Sequence, residues 1–251
     1  MWARGLRRVD RWRWRSAVLV GLWYLSPAEA RSLTIDDWSD AQTTTVISPS
    51  GSATTLATGV GILGGEREIT VTRTSGVAVT MAASGGSLAY GQIAGSLGTG
   101  TVIWDGVDGG GGLDPTGLGG VDFTDAATSA AISIPLLFDD LSASLTLIAY
   151  TDGANSSQVS VTLPGSIPPD PQGVLTIPFS SFSVLSGTGA DFSNIGAFTL
   201  EIDGTTAPGL DFEMGAATTG PVPEPRTALL LGVGLAGLAW LGKPMAPKQE
   251  F

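Results

Sequence analysis

The sequence predicts an all-β protein, an antiparallel β-sandwich of the jelly-roll kind, flanked by an N-terminal signal helix and a C-terminal transmembrane helix. Three observations predict it. Apolar residues recur at every second position through the middle of the chain, glycine, serine and threonine break that pattern into short runs, and no convincing amphipathic helical window occurs between residues 31 and 220. Period-two patterning places one face of each run on a core and leaves the other polar.

The runs follow in order. Ile69 and Val71, then Val77, Val79 and Met81, alternate with Thr, Ala and Ser. Leu145 and Leu147 do the same, as do Val159, Val161 and Leu163. Phe198, Leu200 and Ile202 alternate with Thr199 and Glu201, and in Leu210-Asp211-Phe212-Glu213-Met214 apolar and acidic sides separate completely. Ser84-Gly85-Gly86, Asp152-Gly153-Ala154-Asn155 and Asp203-Gly204 supply the turns. The glycine-rich stretch 109–120 is expected to be a long loop.

Composition removes several function classes. The chain has 251 residues and neither Cys nor His, which excludes disulfides, thiolate metal sites, cysteine nucleophiles and the usual serine triad. Carboxylates remain as the available acids and bases. Net charge is −11, and between Arg31 and Gly220 only Arg31, Arg67 and Arg73 face nineteen carboxylates. Such a body repels nucleic acid and anionic lipid.

Both ends read as processing signals. Arginines at 4, 7, 8, 11, 13 and 15 precede the uncharged run 16–25, and Ala28-Glu29-Ala30 supplies small residues for cleavage after Ala30. At the other end Val222-Pro223-Glu224-Pro225 and Arg226 precede residues 227–242, which carry no charge and would form a helix of about 24 Å. Lys243 and Lys248 follow, favouring a cytoplasmic C-terminus. The expected organisation is therefore a signal peptide (1–30), a β-sandwich domain (31–218), a Pro-rich spacer with the V-P-E-P box (219–226), a transmembrane helix (227–242) and a short basic tail (243–251).

The V-P-E-P box, apolar helix and basic end resemble a PEP-CTERM sorting signal, although the terminal lysines are spread out where such signals end in an arginine cluster. The resemblance implies an exosortase-type sorting enzyme as partner, a transient or permanent membrane anchor, and delivery to the cell surface or extracellular matrix. The body is similar to sandwiches found upstream of such tails, through Ile35-Asp36-Asp37-Trp38, Gly64-Gly65-Glu66-Arg67-Glu68, Trp104-Asp105-Gly106, Phe192-Ser193-Asn194-Ile195 and the strand at Asp211. It also resembles galactose-binding-like jelly rolls, including carbohydrate-binding modules. That likeness implies a structural calcium held by Asp36 and Asp37 with Asp211 or Glu213, since calcium takes six to eight hard oxygen ligands.

Other motifs read as decoys. Gly59, Gly61 and Gly64 satisfy G-x-G-x-x-G but precede a strand-like segment, and Gly232, Gly234 and Gly237 lie in the apolar tail. Gly109-Gly110-Gly111-Gly112-Leu113-Asp114 is a single copy of a calcium repeat that works only when stacked. Asp139-Asp140 and Glu66/Glu68 are expected to be exposed, with Arg67 pairing locally to the glutamates. Trp38, Trp104 and Tyr90 would stack on sugars if exposed and fill the core otherwise. Three functions stay open: a non-catalytic structural or adhesive surface protein, a calcium-dependent carbohydrate-binding module contacting exopolysaccharide, and a polysaccharide-acting enzyme working with carboxylates alone.

Overall fold

The computed structural model describes residues 32–222 except 48, 94 and 166–172. The signal peptide with Ala28 and Ala30, the box residues Pro223, Glu224 and Pro225, the apolar run 227–242 and the tail 243–251 lie outside the described residues. Within them no helix is long and apolar enough to cross a membrane.

The strands are β1 (Thr34–Asp36), β2 (Gln42–Ile47), β3 (Gly51–Thr58), β4 (Glu66–Ser75), β5 (Ala78–Ser84), β6 (Ser87–Gln92), β7 (Leu97–Trp104), β8 (Ala131–Asp139), β9 (Ser144–Tyr150), β10 (Ser156–Thr162), β11 (Gly173–Pro178), β12 (Ser183–Ser186), β13 (Ala197–Asp203), β14 (Asp211–Met214) and β15 (Ala217–Gly220). Two antiparallel sheets stack face to face, as the alternation requires. The second sheet runs β12-β10-β9-β13-β7-β4-β3.

The first sheet is built on β8. One edge of β8 pairs with β11, and the other pairs with β14 over its C-terminal half and β15 over its N-terminal half. β14 and β15 are thus one long strand interrupted at Gly215-Ala216, with β6 flanking its first part and β1 its second. β5 and then β2 extend the sheet beyond β6. The last strand runs through Gly220, past the expected domain end at 218, because Thr219 and Gly220 pair with Ile132 and Ala131.

The expected inward residues are largely where the alternation places them. Ile69, Val71, Val79, Met81, Leu145, Leu147, Phe198, Leu200, Ile202, Leu210, Phe212 and Met214 are all buried. Val77 is not; it precedes β5 in a turn and is exposed. Between the sheets Trp38, Trp104, Phe198 and Phe123 form a chain of rings with centroids 5.4–5.9 Å apart. Phe123 arrives from the long loop after β7. That loop is tied down where Val121 exchanges backbone hydrogen bonds with Ile195 and Phe123 N–H donates to Phe192 O.

Candidate functional site: the outer face of the first sheet

Strand register assembles a polar groove that no single segment of the sequence displays. Thr45 pairs with Thr80, Thr80 with Gly91 and Gly91 with Asp211, forming one row across β2, β5, β6 and β14. The adjoining row on the same face is Thr43, Ala82, Ala89, Glu213 and Phe138. Their neighbours along each strand, Val79, Met81, Leu88, Tyr90 and Phe212, are in the core, so both rows face outward.

Gly91, Ala82 and Ala89 keep the middle of the two rows low. Thr80, Gly91, Gln92, Ile93 and Asp211 line a cleft of about 420 Å3. A Cβ on Gly91 would meet Asp211 Oδ1 at 3.0 Å, so glycine is what lets the carboxylate lean over the groove. On one flank the Thr45 and Thr80 hydroxyls are hydrogen-bonded to each other at 3.0 Å. On the other stands Asp211, with Glu213 and Phe138 beside the cleft in the adjoining row of the same face. Asp140 closes the end: its Oδ1 accepts the Asp211 N–H at 2.8 Å, and its own N–H donates to Asp211 O.

Partial burial, reinforced by the charge of Asp140, pushes the Asp211 carboxyl above the ordinary range against the pull of the Gln92 backbone N–H. No cation offsets it. The only cations among the described residues are Arg67 and Arg73, and both are buried. This face therefore offers carboxylate acceptors, threonine hydroxyls and, beside the cleft, an aromatic ring, with no cationic side chain on it among the described residues.

Phe138 reaches this face through a β-bulge. Glu213 pairs with Phe138 but Met214 pairs with Leu136, so Leu137 is the extra residue. The bulge also separates the two expected acidic neighbours. Asp139 is not the exposed charge its sequence context suggested. It is buried, its Oδ2 accepts the Gly165 N–H at 2.7 Å and its Oδ1 has no partner. Burial pushes its carboxyl upward, opposed by that hydrogen bond.

The four carboxylates expected to share calcium are not brought together. Asp36 pairs with Ala217 across β1 and β15, which places it about 13 Å along the strand from Glu213 and about 20 Å from Asp211 at ~3.3 Å per residue. Asp36 also faces the core whereas Glu213 faces outward. Its oxygens are already occupied: Arg67 Nη1 donates to both at 2.9 and 3.0 Å, Trp104 Nε1 donates to Oδ2 and the Trp38 N–H to Oδ1, each at 2.9 Å. Burial pushes this carboxyl upward, and Arg67 with those N–H donors pulls it back. Asp37 instead binds the Ser39 N–H, and hydrogen bonds from Ser39 hold it below the ordinary range. Among the described residues no group of three or more acidic side chains is arranged to hold a metal ion.

The expected Glu66-Arg67-Glu68 ion pairing is also replaced. Arg67 turns inward to Asp36, gives Nε to Gln42 Oε1 at 2.7 Å and Nη2 to Asp40 O at 2.7 Å, and stacks over Trp38 at 5.2 Å. Glu66 is itself buried and accepts the Gly109 N–H, which ties down the glycine-rich loop. Asp114 of that loop caps Thr116. Of the nucleotide-like glycines, Gly59 and Gly61 leave room for the carboxylates of Asp40 and Asp37, which pack directly over them, and Gly64 leads into β4. Trp38, Trp104 and Tyr90 all lie in the core. Burial pushes the Tyr90 hydroxyl up to about 12, and Gln92 Nε2 donates to it.

Fold and groove together define an all-β, two-sheet antiparallel sandwich with a polar face on one sheet. No protein-family model matches the chain, and no curated protein matches it. Among solved structures it is similar to a family 11 carbohydrate-binding module from Clostridium thermocellum in complex with a β-1,3-1,4-mixed-linked tetrasaccharide. The two are 12% identical, with 77% of this chain and 98% of that one covered and a TM-score of 0.36. The solution structure of CtCBM11 is similar at 14% identity, over 79% and 99% of the two chains, with a TM-score of 0.39. A TmCBM61 complex with β-1,4-galactotriose is similar at 8% identity, over 70% and 90%, with a TM-score of 0.30.

Proposed function

We propose that this chain is an exported, non-catalytic surface module that contacts an uncharged glycan through the outer face of its first sheet. The observation that carries the reading is the groove itself. Sugar hydroxyls need acceptors such as Asp211, Glu213 and Asp140 and partners such as the Thr45 and Thr80 hydroxyls, while an aromatic ring like Phe138 offers an apolar face for the C–H side of a pyranose. The lack of exposed cations among the described residues favours neutral over acidic polysaccharide. Calcium has no part in this reading.

The absence of His and Cys and the inward turn of Asp139 support a binding role over a catalytic one. Delivery rests on the sequence signals at the two ends: export by the basic-apolar-small leader, then sorting by an exosortase-type enzyme at Val222-Pro223-Glu224-Pro225 and release to the surface or matrix. The test is retention of the purified protein on a glycan array and in affinity gels carrying neutral polysaccharides. Retention that weakens in Phe138→Ala and Asp211→Asn supports the reading. Uniform lack of retention, or retention unchanged by both substitutions, overturns it.

A further inference from the structure

The chain leaves the sandwich beside an apolar hollow. Ala130 N–H donates to Gly220 O, and Phe179 N–H donates to Ala130 O, so three backbones run side by side at this end. Pro221 and Val222 continue past them. Val222 itself lines a cavity of about 360 Å3 together with Thr124, Ala127, Pro178 and Phe179. Phe179 forms a fixed aromatic wall, because it stacks on Phe192 at 4.5 Å and Phe182 meets Phe192 edge-on at 5.0 Å.

What comes next in sequence suits that hollow. Pro221, Pro223 and Pro225 alternate with Val222 and Glu224. Each proline fixes its own φ near −65° and pushes the preceding residue toward extended backbone. In the extended backbone that prolines favour, a run of this length would span about 9 Å at ~3.1 Å per residue. Rigid proline-rich segments lose little entropy on docking into aromatic-lined grooves. The described chain ends with Val222 already seated, and the segment that follows is tethered to the groove at zero distance.

We propose that Pro223, Glu224 and Pro225 dock intramolecularly against Phe179 and Pro178, so that the box is held on the sandwich just before the apolar run begins. A peptidase acting at the box would then have to lift it first; that consequence rests on the sorting reading above, while the docking does not.

Trypsin on the full-length protein in detergent micelles tests it, because the positions of the basic residues make cleavage readable. Arg226 follows the box, whereas Arg67 and Arg73 are buried and are cut only if the fold opens. Cleavage after Arg226 should be about tenfold slower in the wild type than in Val222→Asp or Phe179→Ala, the ratio that ~1.4 kcal/mol of docking produces. If Phe179→Ala also exposes Arg67 and Arg73, Val222→Asp, which lies outside the core, decides alone. Equal rates at Arg226 in wild type and Val222→Asp overturn the proposal. So does protection that fades on dilution, which would place a second copy in the groove, or protection that follows micelle size and not the variant. Mass spectrometry of the naturally processed C-terminus tests the sorting reading separately.

Discussion

Arg67→Met should be the most damaging single substitution at the junction of the two sheets. Arg67 is fully buried and donates to both oxygens of Asp36, to Gln42 Oε1 and to Asp40 O. Methionine keeps much of the stem's packing but leaves a buried carboxylate without its cation and two further acceptors without a donor. Breaking one side of a buried pair costs about 3–5 kcal/mol. For a domain of this size each kcal/mol lowers Tm by roughly 2–4 °C, so a fall of about 6–20 °C is expected. The pH dependence is diagnostic. Burial already pushes the Asp36 carboxyl up, and Arg67 is the strongest influence holding it down. Without Arg67 the folded-state value rises further above the unfolded value of ~3.9. A group with a raised folded value contributes stability that is full below the unfolded value and lost as pH rises through the folded one. The deficit of Arg67→Met against wild type should therefore widen from pH 4 toward pH 8. Adding Asp36→Asn should remove most of that widening. Urea unfolding across pH, read as a double-mutant cycle of Asp36→Asn and Arg67→Met, is the assay. A variant melting within ~2 °C of wild type, a pH-independent deficit, or strict additivity would each refute the reasoning.

The remaining expectations are smaller and independent. Asp139→Asn should raise Tm near pH 8, because burial raises the Asp139 carboxyl and its ionised form costs stability there; the gain should vanish as pH falls and the wild-type carboxyl takes up its proton, as melts over pH show. Calcium or chelator should leave the melting temperature unmoved, since Asp36 is committed to Arg67 and lies far from Asp211; a calcium-induced rise abolished by Asp211→Asn would contradict this. Gly91→Val should displace Asp211, whose Oδ1 would lie 3.0 Å from the new Cβ, and weaken glycan retention by about tenfold, a ~1.4 kcal/mol effect, with stability little changed. N-terminal sequencing of the exported protein should begin at Arg31.

How much was legible in the sequence depended on the range of the interaction. Alternation is local: Leu210-Asp211-Phe212-Glu213-Met214 declares which side chains face the core, and β14 obeys it. Arg67 could not be read the same way, because proximity along the chain offered Glu66 and Glu68 as partners, while the fold supplied Asp36 from β1 at 2.9 Å. Burial alone does not make the choice, since Glu66 is buried as well; Glu66 is turned to the Gly109 N–H while Asp36 faces the guanidinium, and that geometry exists only after the sheets pack. Phe138 was hidden for a related reason. Strict alternation through Ile134, Leu136 and Phe138 would bury all three, and only the extra residue Leu137 opposite β14 turns the ring outward and Asp139 inward. The groove follows the same logic, since Thr45, Thr80, Gly91 and Asp211 come from four strands and share a row only through register. In a sandwich of this kind the sequence declares faces strand by strand, whereas a site made of rows across strands becomes visible only when register and bulges are known.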